Sequence, residues 1–576
     1  MSGAVQIDTR PLPARRAHPA SRPAPQRMNR SAADPEVHQR RWRILAVLCA
    51  SVFLVVVDNT IVNVALPTLS RQLGATTSQL QWVVDAYSLV FAGLLLAAGS
   101  LGDRFGRKGA LQGGMVLFGL FSGLAALAST PAQLIAARAA MGVGAALVFP
   151  ATLAILANVF TDARERAKAI GVWTGVSGLA IALGPVTGGW LLEHFWWGSV
   201  FLVNVPLAGL AVLIGRRMIP ESADPNAPAR QDIPGLLLSI AGISTLVWTI
   251  IEAPGAGWGS TQTLIGFAAA AVIIAAFVAR ELTAEMPMLD VRIFRNARFT
   301  AASISVTLAF FALFGFVFVV TQYLQFVQGY STLEAGVRTV PFAAATGIAA
   351  PLAALFTRRW GTKRVVATGL AAMAVGLLVA ASSDAGTGYG TILISMLIMG
   401  GGLGLTTAPA TESIMGSLPR EKAGVGSAVN DTTRELGGTL GVALIGSLFA
   451  SAYHGSLANG LAGVPLPSAA RHAADQSIGA AMAVAAQAPA GPRETIADAA
   501  RTAFLAGFTR AAVVAAVVVA AAAVVALLFL PARADEVAEV EQGEVEPGEV
   551  EPGELAVATA VEDAVLVVVG SAVNPC

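Results

Sequence analysis

Residues 99–108 read Gly99-Ser100-Leu101-Gly102-Asp103-Arg104-Phe105-Gly106-Arg107-Lys108, and residues 358–363 read Arg358-Arg359-Trp360-Gly361-Thr362-Lys363. At an offset of 255 the basic, aromatic, glycine and lysine positions of the two stretches coincide. Each stretch joins two long apolar runs. A short motif that returns between equivalent runs is the mark of a membrane transporter built from duplicated halves. Two unrelated basic turns are the alternative that this motif alone leaves open.

Composition agrees with a membrane chain. Of the 576 residues, 55% are hydrophobic and 13% charged, and the mean hydropathy is +0.67. Soluble domains carry roughly 25% charged residues, so a water-soluble enzyme of several domains is excluded, as are a disordered chain and a fibre. A helix needs about 20 mainly apolar residues to cross the hydrocarbon. Fourteen such spans are predicted, centred near residues 55, 90, 118, 141, 180, 208, 242, 270, 311, 345, 374, 399, 438 and 519. The two motif stretches follow spans 2 and 10. Six spans therefore form the repeated unit, and spans 7 and 8 are an insertion between the halves. The fold class expected is all-α and polytopic: a six-helix lobe over 44–217, two linker helices within 218–298, and a second six-helix lobe over 299–530. That second lobe includes a long, Ala-rich outer segment over 451–503.

Lys and Arg counts set the orientation, because cytoplasmic loops carry an excess of both. With the amino terminus inside, 29 of the 37 fall on the cytoplasmic side. Only Arg71, Arg338, Arg471, Arg493, Arg501 and Arg510 fall outside, while Arg138 and Arg434 lie within spans. Both termini are expected in the cytoplasm of a multi-pass cell-membrane protein. Residues 1–43 form a basic tail rich in Arg, Pro and Ala. Residues 531–576 form an acidic one, with the low-complexity repeat Gly543–Gly553; neither composition buries a core. Cys49 and Cys576 make no disulfide framework, and the five histidines show no metal-ligand spacing.

Ionisable residues inside spans carry mechanism, since a charge in hydrocarbon is costly unless it faces a cavity or a partner. Span 1 is expected to end near Leu66, which places Asp58 about 12 Å below its outer end at ~1.5 Å per residue. Arg138 in span 4 and Asp85 in span 2 lie at comparable depth. The three form a candidate proton-relay or ion-pair set, with two blander alternatives: a permanent Asp58–Arg138 salt bridge and a solvated Asp85. In the Gly99–Lys108 turn, Gly99, Gly102 and Gly106 permit a tight reversal. Asp103 can cap a helix or pair with Arg104 or Arg107, locking the ends of the helices together in one state; Lys108 completes the basic set. Span 5 concentrates Gly171, Gly175, Gly178, Gly184, Gly188 and Gly189, small residues that let helices approach closely, beside Pro185, which kinks the helix. Asp431, Arg434 and Glu435 are expected to form a structural cluster at the cytoplasmic end of span 13, with a second-lobe charge network as the alternative, and Glu252 to be solvated.

These segments resemble the major facilitator superfamily, in its fourteen-spanner drug:proton antiporter branch of the EmrB/QacA type. Gly99–Lys108 resembles motif A and Asp58-Asn59-Thr60-Ile61-Val62-Asn63-Val64-Ala65-Leu66-Pro67 the first-helix motif. Leu134-x3-Arg138-x2-Met141-Gly142-x-Gly144-Ala145-Ala146 resembles motif B, and Gly184-Pro185-x2-Gly188-Gly189 motif C, the antiporter motif. Phe201-Leu202-Val203-Asn204-Val205-Pro206 and the Gly424-to-Gly438 stretch fit the same family, and the likeness covers residues 40–530. Motif B usually has glutamine where Met141 stands, and the second motif A has Arg358 in place of the acid. The resemblance implies alternating access, with motif A as cytoplasmic gate and motif C limiting proton leak. Asp58, Asn63, Trp82 and Tyr87 are the candidate substrate contacts.

No G-x-x-x-x-G-K-[ST] phosphate loop occurs, so no Walker-type ATP site is expected and a gradient must do the work. With protonatable residues in the first lobe and the antiporter motif, a proton gradient, without a cofactor, is the simplest account. The expected function is proton-coupled export of hydrophobic small molecules, cations among them, by a monomer in the lipid bilayer, with no nucleic-acid partner. An acidic cavity around Asp58 and Asp85 would favour cations and apolar walls would loosen selectivity. A dedicated exporter of one self-made metabolite or lipid is the alternative within the fold. A non-transporting membrane sensor or scaffold is the alternative outside it.

Overall fold

The computed structural model describes residues 35–223, 232–418 and 423–531; most of both charged tails, the Gly543–Gly553 repeat and Cys576 lie outside them. Among the described residues the secondary structure is helical. The first lobe holds α1 (Pro35–Gln72), α2 (Thr77–Phe105), α3 (Arg107–Ala126), α4 (Pro131–Val159), α5 (Ala163–His194), the single turn α6 (Ser199–Leu202) and α7 (Asn204–Met218). Next come α8 (Ile233–Ala256) and α9 (Thr261–Thr283). The second lobe holds α10 (Ala297–Gln322), α11 (Thr332–Trp360), α12 (Thr362–Ala381), α13 (Tyr389–Met415), α14 (Ala423–Gly460) and α17 (Ala490–Phe529), with two short helices, α15 (Ser468–Gln476) and α16 (Ile478–Gln487), before the last span. Fourteen helical segments among the described residues are long and apolar enough to cross a bilayer, α6 and α7 counting as one.

Local chemistry sets the boundaries. Thr76 caps α2 in a capping box with Gln79, and Ser331 caps α11 in the same way with Glu334. Gly106 ends α2 at φ +118° and Gly361 ends α11 at φ +83°, a backbone region that glycine enters without a Cβ penalty. Cap, helix and breaking glycine thus repeat at the motif's own offset: α2 maps onto α11, and α3 onto α12, residue for residue at 255. The link before α13 is three residues longer than that before α4, so α4 maps onto α13 at 258.

Helix contacts follow the same duplication. Lipid tails are as apolar as leucine, so spans associate through close packing of small residues. In the first lobe Gly142 faces the Tyr87 carbonyl and Gly144 faces that of Gly114. In the second, Gly400 faces the Phe342 carbonyl and Gly402 that of Gly369, the equivalent positions throughout.

The lobes meet at the end of the bundle where α1 finishes and α2 begins. Gln81 Nε2 of α2 donates to the Val442 and Ala443 carbonyls of α14 at 3.0 and 2.8 Å. Gln325 Nε2 donates to the Val64 carbonyl at 3.0 Å. Gly189 and Pro185 of α5 lie against the backbone of Thr332 and Gly336 of α11. At the tip, Ser70 and Ser477 hydroxyls are 2.9 Å apart and Thr77 donates to the Gln476 carbonyl, so the α15–α16 segment of the second lobe is tied to the first. This explains why α1 runs to Gln72 rather than ending near Leu66, as its sequence suggests: Thr68, Leu69 and Ser70 are buried in the extra turn. Helix α8 packs on both lobes, where Val247, Ile250 and Ile251 meet Leu89 of α2 and Ala443 of α14. Trp258 at its end donates to Ser451 at 3.0 Å.

A side chain at Gly336 would intrude on the Pro185 carbonyl. Gly336→Val is therefore expected to hold α5 and α11 apart. The check is disulfide cross-linking of cysteines placed at Glu193 and Ser331, whose side chains touch at 3.3 Å. Cross-linking should fall several-fold in the valine background; undiminished cross-linking would show that the contact is not what brings the lobes together.

Candidate functional site: a buried ion pair between three helices

Asp58 of α1 and Arg138 of α4 are both fully buried, with Oδ2 and Nη1 2.5 Å apart. Each helix supplies its residue from within its apolar run, and neither side chain is exposed. Arg138 is held three ways: by Asp58, by the Val83 carbonyl of α2, to which Nε donates at 3.1 Å, and by the Tyr87 ring, 4.2 Å below the guanidinium. Buried Met141, in the position where the family motif usually has glutamine, does not bond Arg138; the backbone of α2 does. The other Asp58 oxygen accepts from Asn204 Nδ2 at 2.7 Å. Asn204 also donates to Ser122 Oγ at 3.0 Å, and Ser122 in turn donates to the Phe201 carbonyl at 2.8 Å. The Phe201-to-Pro206 stretch thus acquires a physical role, since the break between α6 and α7 turns Asn204 toward the acid.

Asp85 does not join this pair. It lies two residues from Tyr87, so it is turned about 160° around the helix at ~100° per residue. It shares its face with Gln81, the residue that reaches α14. Nor is it solvated: its side chain is fully buried, and neither carboxyl oxygen has a protein hydrogen-bond partner. Trp82 also leaves the expected set of substrate contacts, because it packs against the Leu89–Val247–Ile251 cluster beside α8, on another face from Tyr87. Asn63 and Tyr87 are buried, with Asn63 Oδ1 and the Tyr87 hydroxyl unpaired.

The Gly99–Lys108 turn keeps the acid–arginine pair of its sequence reading and takes its other bonds from outside the motif. Asp103 pairs with Arg107 one turn on, at 2.7 Å, and Arg104 lies over Phe105. The start of α3 is instead capped from beyond α7: Glu221 accepts from the Lys108 amide and the Ser222 carbonyl from the Arg107 amide. Lys108 Nζ donates to the Arg216 carbonyl at 2.9 Å. Gly99 and Gly102 face Pro150 and Ala110 at ordinary contact distance.

In α5, Gly184 and Gly188 pack on Thr60 and Ile61 of α1, and Gly189 on α11. Gly171, Gly175 and Gly178 do not mediate close approach, since no neighbouring atom lies within 4 Å of where a Cβ would stand. They occupy the half of α5 remote from the closed end. Arg434 of α14, half-buried, bonds Thr411 near the end of α13 at 3.2 Å and lies 5.4 Å from the Phe310 ring centre. Glu252 is half-buried. Sequence reasoning missed Glu221, Ser122 and the lobe-crossing Gln81 and Gln325. The signal for the glutamines is faint: amides within apolar runs, which need partners once buried.

Removing one member of a buried polar set leaves the others unpaired. Asn204→Ala should cost about 1–3 kcal/mol. Arg138→Lys, which can keep only one of three interactions, should cost about 3–5 kcal/mol. Thermal unfolding of the purified protein in detergent checks both, and an unchanged midpoint in the lysine variant would show that the pair does not hold these helices together.

The sequence model of the Major Facilitator Superfamily matches residues 48–442. Multidrug efflux pump LfrA of Mycolicibacterium smegmatis is 38% identical over 478 residues, covering 83% of this chain and 94% of that protein. Methyl viologen resistance protein SmvA of Salmonella typhimurium is 35% identical over 473 residues, covering 81% and 93%. A crystal structure of a bacterial homologue of the human lysosomal transporter Spinster, in an inward-facing and unoccupied conformation, superposes with a TM-score of 0.60. At 17% identity, it covers 87% of this chain and 99% of that one. With its duplicated helices, its buried pair and these likenesses together, the chain belongs to the Major Facilitator Superfamily of membrane transporters.

Proposed function

We propose that this transporter exports hydrophobic small molecules, lipophilic cations among them, in exchange for protons. The observation that carries the reading is the fully buried Asp58–Arg138 pair with Asn204, set in a lobe whose partner touches it at one end of the bundle. The 29-to-6 distribution of Lys and Arg supports placing the Gly99–Lys108 turn and both termini in the cytoplasm. On that orientation the closed end faces outward, and this is an inward-facing state ready to load from the cytoplasm or the inner leaflet. The names of the relatives, a multidrug efflux pump and a methyl viologen resistance protein, support the direction and the substrate class.

The chemistry follows from what each charge touches. Asp58 and Arg138 neutralise each other inside the bundle, which is how two charges are tolerated there. A proton delivered to Asp58 replaces the ion pair by a neutral acid and an uncompensated guanidinium, so α1 and α4 lose a reason to stay together. Asp85 stands on the face of α2 that meets α14. Proton uptake removes the cost of burying an unpaired carboxylate there, while separation of the lobes exposes the group to water and favours release. The two acids thus respond to opposite events: one to breakage of a pair within a lobe, the other to parting of the lobes. Export then requires that substrate and proton do not occupy the cavity as charged species together.

The test is efflux of a fluorescent lipophilic cation from cells expressing the protein, with and without an uncoupler, beside Asp58→Asn and Asp85→Asn. Uncoupler-sensitive efflux, abolished by Asp58→Asn and reduced at least several-fold by Asp85→Asn, is the expected result. Efflux untouched in Asp58→Asn would overturn the coupling role of the pair. Absence of efflux from membranes that hold the folded protein would overturn the substrate class.

A further inference from the structure

Away from the lobe interface the described residues form a groove of about 740 Å³ on the lipid-facing side of the first lobe, at its α2–α3 turn. Its floor is a single face of α3, Gly109, Gly113 and Val116, at helical spacing. Its walls are Leu101 and Phe105 from the end of α2 and Val212 with Arg216 from α7. The floor is low because two of its residues are glycine: no atom lies within 4 Å of where either Cβ would stand. The face continues along α3 through exposed Leu120 and Leu124, so the groove opens on lipid.

Two further features select an occupant. From Gly109 to Leu117 the groove descends about 12 Å at ~1.5 Å per residue, close to the depth of one leaflet in a ~30 Å hydrocarbon core. Its mouth lies at the head-group level and is basic. Arg216 lines it, Lys108 Nζ is bonded to the Arg216 carbonyl, and Arg104 lies over Phe105 of its wall. The acids nearby are engaged: Asp103 is paired with Arg107, and Glu221 accepts the Lys108 and Ser222 amides. The amino terminus of α3 is capped by Glu221 and Ser222, so the attraction for an anion comes from the side chains.

We propose that this groove binds an anionic phospholipid of the adjoining leaflet, its acyl chain on the Gly109–Gly113–Val116 face and its phosphate at Arg216. The site is separate from the Asp58–Arg138 pair and does not depend on which substrate the transporter carries. Bound lipid bridges α2, α3 and α7, and so braces the turn that the family resemblance makes the cytoplasmic gate.

The experiment is native mass spectrometry of the full-length purified protein titrated with phosphatidylglycerol or with phosphatidylcholine of the same chains. The wild type should retain its first phosphatidylglycerol about tenfold more tightly than phosphatidylcholine, given what a basic contact at a membrane surface contributes. Arg216→Gln should bring the two lipids close to parity, whereas Arg359→Gln, at the equivalent turn of the second lobe, should not. Gly113→Leu fills the groove without displacing protein, and should weaken both lipids; thermal unfolding confirms that it folds. Equal retention of the two lipids by the wild type would overturn the proposal, as would phosphatidylglycerol binding unaffected by Gly113→Leu. Displacement by inorganic phosphate, or by a transported lipophilic cation, would reassign the groove to a free anion or to substrate and overturn it equally.

Discussion

A charge inside hydrocarbon has to find its partner within the protein, and the Asp58–Arg138 pair is where that constraint binds this fold most tightly. Both side chains are fully buried, 2.5 Å apart. Satisfying them recruits the backbone of α2 through Val83, the ring of Tyr87 and the amide of Asn204 at the start of α7. Four helices of one lobe thus converge on two residues. Each of those helices also bounds the interface with the other lobe or packs on one that does. A change in the charge state of the pair is therefore a change in the first lobe as a body, which is what a transporter that rocks rigid halves needs.

The rest of the packing is backbone against backbone. Gly142 on Tyr87 and Gly144 on Gly114 in one lobe, with Gly400 on Phe342 and Gly402 on Gly369 in the other, let helix pairs approach until carbonyls limit them. Such contacts use dispersion and shape rather than hydrophobic exclusion, which lipid does not provide. They are stiff within a lobe. Between lobes, the close approach at Gly189 and Gly336 is joined by polar contacts: Gln81 to α14, Gln325 to Val64, Ser70 to Ser477. Polar contacts can be exchanged for water as the lobes part, so the seam between lobes is the part of the fold able to open without loss of either lobe's core.

The fold was legible in the sequence almost to the helix, because length and hydropathy decide spans and one basic turn at an offset of 255 exposed the duplication. The site was half legible. Asp58 and Arg138 stood out as charges in apolar runs at matching depth. Asp85 stood out equally and was grouped with them wrongly, because depth along a helix says nothing of direction around it, and two residues on α2 are enough to turn a side chain to the opposite face. Trp82 failed for the same reason. Asn204 was visible as part of a family motif without a reason, and the reason is tertiary: only the break between α6 and α7 brings it to Asp58. The Glu221 cap shows the reverse case, in which a motif was recognised but the bonds that close its turn fall to neighbours that the motif does not contain, while the Asp103–Arg107 pair stays within it.

Duplication of the scaffold carried over the basic turn but not the buried charges. At the offsets that relate α2 to α11 and α4 to α13, Arg138 corresponds to buried Met396, Asp85 to Val340 and Tyr87 to Phe342. The aromatic ring is kept and everything ionic is lost. Gln81, which crosses to α14, corresponds to Gly336, which meets α5 by close approach instead. The second lobe places half-buried charges on α14, at Asp431, Arg434 and Glu435. Two halves of equal shape can rock about a common axis with little distortion, since each presents the same packing to the other. Halves of unequal charge respond differently to the same proton. The geometry of alternation is thus carried by what the lobes share, and its coupling to a gradient by what they do not.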